Sequence, residues 1–292
     1  MTLQTLLQDW PFDPAVVGGV AASALLYWLG LRYSIRAGLS RRLQWWRVAA
    51  FAAGLLVLLT ALDSPLDTLA DRWLWAHMIQ HDLLTMVVPP LLLLGVPAWL
   101  FWRAVPLKAR RASLSWVVRQ RWPRRLWHVI DHYVLAPWPV WLLYVGTYSI
   151  WHIPSLYDAA LADQSIHVLE HITFLGTALL LWAQVIPSQP LQPRLSYPMR
   201  ALYLCAVGMH ANLIGSLFVF SVGPFYPHYA LLPRPAGAMT ALVDQHLAGA
   251  AMDVPGTIIF FVAVSAVLWL WLRDDERAPA ARPLPAGVSA RR

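Results

Sequence analysis

Two pairs of histidines stand four residues apart at the start of apolar stretches: His77 and His81 in "AHMIQH", and His167 and His171 in "HVLEH". Residues four apart on a helix share a face about 6 Å apart. That spacing lets two imidazoles bind one ion or two adjacent ions, as in the HExxH helices of zinc enzymes. Neither pair has a glutamate directly after its first histidine, and in "HVLEH" the acid stands fourth, so a metzincin-type protease is excluded. His152, His210 and His246 lie in or beside further apolar stretches, while His228 falls in a connection. His128 and His132 repeat the spacing behind an arginine cluster and are read as unrelated to the main group. Three carboxylates, Asp82, Glu170 and Asp253, also interrupt apolar runs. An ionised carboxylate in lipid is costly, so each is expected to face the interior beside a metal, a ligand histidine or another polar group. Glu170 is offset by about 100° from His171 and is read as orienting a neighbour. Asp253 lies about 10 Å along a helix from His246 and suits a deep ligand, a proton relay or a structural hydrogen bond. Imidazole-rich sites take copper, zinc or iron rather than magnesium or calcium. Met78, Met209 and Met252 neighbour these residues, but adjacent helical residues do not face the same way, so they read as core filler. Copper and zinc both remain open on chemistry alone.

The elements that must position these side chains follow from composition. The chain has 292 residues, 59% hydrophobic and 13% charged, with 17 Trp. A soluble domain carries roughly twice that share of charge, and the apolar runs define an all-α polytopic membrane protein. Seven stretches, roughly 15–33, 46–63, 72–95, 134–152, 165–187, 199–221 and 245–272, are each expected to cross the bilayer as one seven-helix bundle. The segment "MTLQTLLQDWPFDPA" before the first carries no Lys or Arg, so that stretch lacks the basic region of a signal peptide. All but Arg72 and Arg234 of the 22 cations fall in the 1–2, 3–4 and 5–6 connections, their flanks or the C-terminal segment. The positive-inside rule then places the N-terminus outside and the C-terminus in the cytoplasm. The high pI is thus a topology signal, and no nucleic-acid partner is expected. With this orientation the seven histidines 77, 81, 152, 167, 171, 210 and 246 converge on the outer half of the bundle from five stretches. Asp63, Asp67, Asp71, Asp158, Asp163 and Asp244 lie on the outer side, where they either attract cations or simply occupy ground that basic residues avoid. "SPLD" at 64–67 ends the second stretch, "VPP" at 88–90 is expected to kink the third, and "PSQPLQP" at 187–193 separates the fifth from the sixth. Residues 1–277 read as one membrane domain and 278–292 as a disordered cytoplasmic tail. Cys205 is the sole cysteine, which excludes an intrachain disulfide and any CxxC motif.

The stretches "SPLDTLADRWLWAHMIQHDLL", "PPLLLLGVP", "WHIPSLYDAAL", "HVLEHITF", "GPFYPHYA" and "DQHLAG" occur in an order and spacing that resemble the CtaG family. These are multi-span assembly factors of caa3-type cytochrome c oxidase in bacterial plasma membranes. The likeness covers roughly residues 60–260. It implies a role in maturing the oxidase by handling copper for its subunits, with a periplasmic copper donor as a further partner. The family pattern falls on His77, His81, His152, His167 and His171, and less closely on His210 and His246. The resemblance implies a metallochaperone or assembly factor rather than an enzyme.

Other readings of the same residues exist. An integral-membrane zinc hydrolase would hold zinc on three histidines and use Asp253 or Glu170 as base. Six or seven histidines exceed that need. Axial ligation of a b-type haem is another possibility, although i,i+4 pairs suit an ion better than a macrocycle. A copper uptake or resistance permease would need a continuous polar path, and the inner halves of the stretches offer little beyond Asp253, Cys205 and a few hydroxyls.

Overall fold

The structure is a computed structural model that describes residues 12–39, 44–95, 97–188 and 192–277. The tail expected at 278–292 lies outside the described residues. Seven principal helices are labelled in chain order: α1 Pro14–Arg36, α2 Trp45–Leu62, α3 Leu74–Leu94, α4 Pro137–Trp151, α5 Gln164–Ala183, α6 Tyr197–Val219 and α7 Ala241–Arg277. Shorter helices fill the connections, and no strand occurs among the described residues. Six of the principal helices are long and apolar enough to cross a membrane, so this is a membrane protein. The exception is α4, whose 15 residues reach about 22 Å against about 30 Å of hydrocarbon. The π-turn at Ile130–Val134 continues the preceding helix Arg121–Val129, and bends at Leu135 and Ala136 separate it from α4.

Helix starts follow local chemistry. Asp13 accepts from the backbone N–H of Ala15 at 2.7 Å, with Pro14 at the first position of α1. Asp163 accepts from Ser165 at 2.7 Å and Ile166 at 3.3 Å, which fixes the first turn of α5. The N-terminus of α3 has no local side-chain cap. Asp244, from the start of α7, takes that role and accepts from the N–H groups of Leu74 at 3.2 Å and Trp75 at 3.1 Å. Its other partner is Arg234, 3.2 Å away.

The expected kink of the third stretch takes the form of a π-turn at Leu83–Val87, two residues after the second histidine of α3. Its cause is Pro89, whose missing N–H leaves the Thr85 carbonyl, four residues back, without an intrahelical donor. The indole of Trp182 on α5 donates to that carbonyl at 2.9 Å. The loss in one helix thus becomes a tie between two. At the far end of α3, Arg47 donates to the Leu94 carbonyl at 3.0 Å.

The main core joins α3 to α7 around Met78, Tyr144, Tyr148, Phe174, Leu204 and Phe260. The most extensive helix pair is α6 with α7. Gly215 and Gly249 permit that approach: a Cβ on Gly249 would lie 2.5 Å from the Gly215 carbonyl oxygen. A smaller core at Tyr27, Phe51, Leu55 and Leu100 attaches α1 and α2 through the helix Pro97–Ala104.

Candidate metal centre

Helices α3 and α5 enter the bundle from the same end, and each brings its histidines in within its first two turns. The four rings form a compact block. Ring centroids are 4.4 Å apart for His77 and His81, 4.3 Å for His167 and His171, 5.3 Å for His77 and His167, and 5.6 Å for His81 and His171. His77 and His81 are 1% and 2% exposed. Glu170, 0% exposed, places a carboxylate oxygen 3.7 Å from His81 Nε2.

Hydrogen bonding leaves these groups free to act as ligands. The Tyr229 hydroxyl donates to the Ala70 carbonyl at 2.6 Å. Its single proton is thereby used, so the contact of 2.9 Å to His77 Nδ1 requires the imidazole N–H to donate. This fixes the tautomer and leaves the Nε2 lone pair facing inward, the arrangement typical of a metal-ligating histidine with a hydrogen-bonded second nitrogen. Buried Nε2 atoms of His77, His81, His167 and His171, and both oxygens of Glu170, have no hydrogen-bond partner. Buried polar groups are normally satisfied. Six unsatisfied atoms in one place, all of them neutral or anionic acceptors in their ligating form, match the donor set of a transition-metal ion. Ligand atoms of His77, His81 and His171 lie within 4.8 Å of one another, as do those of His77, His167 and Glu170. The two sets share His77, which has one free nitrogen, so a single ion satisfies either set but not both through neutral imidazole.

The remaining sequence candidates fall outside the two ligand sets. His152 donates from Nδ1 to the Tyr148 carbonyl at 2.6 Å, its buried Nε2 has no partner, and the Phe174 ring stands 6.3 Å from His152 and 4.7 Å from His81. His210 pairs with the Ser149 hydroxyl at 3.0 Å, and His246 donates from Nε2 to the Ser221 carbonyl at 3.0 Å. Asp253 accepts from Ser216 at 3.2 Å, a structural contact between α6 and α7. Asp82 is buried with an unpartnered oxygen and is in neither ligand set. Met78 and Met252 pack in the main core, and Met209 is exposed on the outside of the bundle. Glu170 takes the opposite course. The sequence cast it as orienting a neighbour, and the fold turns it into the histidine block.

Tyr157, Tyr229 and Gln80, beside the site, carried no sequence signal of their own. Tyr157 lies with its ring 5.1 Å from His77, and burial pushes the phenols of Tyr157 and Tyr229 far above their usual range, so both stay protonated. Gln80 donates to the Ala61 carbonyl and to Asp67, each at 2.7 Å, and ties α3 to α2 one residue before His81. At the mouth, Asp71 stands near His167 and His228. Partial burial raises its carboxyl pKa, opposed by those two histidines and Arg72.

The fold and this block of imidazoles define a polytopic helical membrane protein with a buried candidate metal centre at one end of the bundle. Residues 25–274 match the cytochrome c oxidase caa3 assembly factor family (Caa3_CtaG), and the chain belongs to that family. It is 27% identical over 288 residues to an uncharacterised protein of Mycobacterium bovis and, to the same degree, to one of Mycobacterium tuberculosis. A Mycobacterium leprae protein, also uncharacterised, is 25% identical over 289 residues. These alignments cover 92–94% of this chain but only 40–41% of the relatives, so the chain spans about two fifths of their length. No solved structure matches it.

Proposed function

We propose that this protein is a cytochrome c oxidase assembly factor that binds copper on His77, His81, His167 and His171 with Glu170, and passes it to the oxidase. The observation that carries the reading is the convergence of four buried, unpartnered Nε2 atoms and an unpartnered carboxylate. Family membership supplies the assembly role. In the proposed arrangement the protein sits in a bacterial plasma membrane with seven spans, its N-terminus outside and its C-terminus in the cytoplasm. The histidine end then faces the outer side, where a periplasmic donor can supply the ion. Copper is cargo here. The shared His77 offers a stepwise hand-over, because each ligand set can form as the other releases.

A second reading has one feature in its favour. His77, His81 and His171 with a nearby Glu170 also compose a three-histidine zinc centre with a general base. Metal content of detergent-purified protein, measured by mass spectrometry beside a His77→Ala/His81→Ala variant, separates the two. Copper near one per chain in the wild type, lost in a variant that still elutes as a folded species, is the expected outcome. Stoichiometric zinc would favour the hydrolase. No metal after loading with either ion would sink both.

A further inference from the structure

The opposite end of the bundle contains an unrelated electrostatic anomaly. Helices Leu107–Arg119 and Arg121–Val129 interleave cations with exposed Leu114, Trp116, Val118, Trp122, Leu126 and Trp127. A basic, Trp-rich amphipathic surface of this kind lies at headgroup level. Arg110 breaks the pattern. It is 7% exposed, its Cζ stands 5.1 Å from the Tyr33 ring centroid, and its Nε and Nη2 have no hydrogen-bond partner. Arg103 addresses the same Tyr33 ring at 6.0 Å and the Trp99 ring at 5.1 Å. Among the described residues no ion pair involves either arginine.

A guanidinium cannot escape burial by losing its proton, and leaving a buried charge unpaired is strongly unfavourable. The ring contacts offset part of that cost, but they use the π face and leave the edge N–H donors idle. An anion is the missing partner. A planar fork of N–H groups matches phosphate oxygens, and Tyr33, in the last turn of α1, shares Arg103 with the Trp99 ring, an aromatic pair of the kind that favours the headgroup level. We infer that Arg110 and Arg103 bind the phosphodiester of a phospholipid headgroup beside Tyr33. Lys108 and Arg111, which flank Arg110 on its helix, favour an anionic lipid over a zwitterionic one.

The test uses the full-length chain in detergent, exchanged with phosphatidylglycerol and read by native mass spectrometry. One phosphatidylglycerol per wild-type chain is expected, with retention at least tenfold lower in Arg110→Gln and in Arg103→Gln. Arg119→Gln removes an equal charge from the same helix and should retain the lipid as wild type does. If Arg110→Gln fails to fold, the half-buried Arg103→Gln supplies the same readout. Equal retention by wild type and the Arg103 variant overturns the proposal. So does displacement of the lipid by millimolar inorganic phosphate, which would make this a free-anion site.

Discussion

An imidazole binds a metal ion only through a deprotonated nitrogen, so protons and metal compete for the same lone pairs. Four imidazoles meet here at ring separations of 4.3–5.6 Å. Binding is complete while the imidazoles are deprotonated and is lost as acid protonates them, more steeply than for one group because several protons enter per ion released. Equilibrium dialysis against copper in steps from neutral pH into the acid range where imidazole protonates should show retention falling at least tenfold. A flat profile would mean that the ligands are not imidazoles. The tautomer of His77 is also set at this scale. Tyr229 holds His77 Nδ1 through a proton it cannot itself supply, and that constraint directs Nε2 into the site. Sequence spacing revealed the four histidines because four residues make about one helical turn. It could not reveal Tyr229, whose contact with His77 spans 152 positions.

At the scale of elements, the site depends on how α3 starts and where it breaks. Its start is capped from α7 by Asp244 across 170 positions, a relation that no local pattern encodes. Its break was legible in "VPP", since proline always removes a donor, but the sequence placed the irregularity at 88–90 and the structure places it at Leu83–Val87. The reason is that the carbonyl losing its partner lies four residues before the proline, and the helix adjusts there. The same offset explains why Trp182 reaches Thr85. Trp182→Phe keeps an aromatic ring and deletes the donor, leaving a buried carbonyl unsatisfied at a cost of about 1–3 kcal/mol. Pro89→Ala restores an N–H that can serve Thr85, so the tryptophan change should cost less in that background. Unfolding of the two single variants and the double variant in detergent tests this. Strictly additive costs would show that the indole contributes only packing.

For the whole molecule, the positions of the two histidine pairs constrain how the chain crosses the bundle. His77 and His81 lie in the first turns of α3, His167 and His171 in the first turns of α5, and the pairs meet at corresponding depth. Helices α3 and α5 therefore run parallel. The chain leaves α3 at the end remote from the site and begins α5 beside it, so residues between them must return along the bundle. Helix α4 is the element available for that return, although its 15 residues fall short of a full span by themselves. The sequence reads this stretch as a span from hydropathy and the alternation of charge, and the helix is short because Pro137 and Pro139 set its start. A labelling experiment decides it. Cys205 is the only cysteine, so Cys205→Ser provides a blank background into which Ser115→Cys and Ala162→Cys are introduced singly. An impermeant maleimide applied to intact cells should label the second position and reach the first only after the membrane is opened. Labelling of both from the same side would mean that the chain does not cross between them, and the odd number of spans would fall with it.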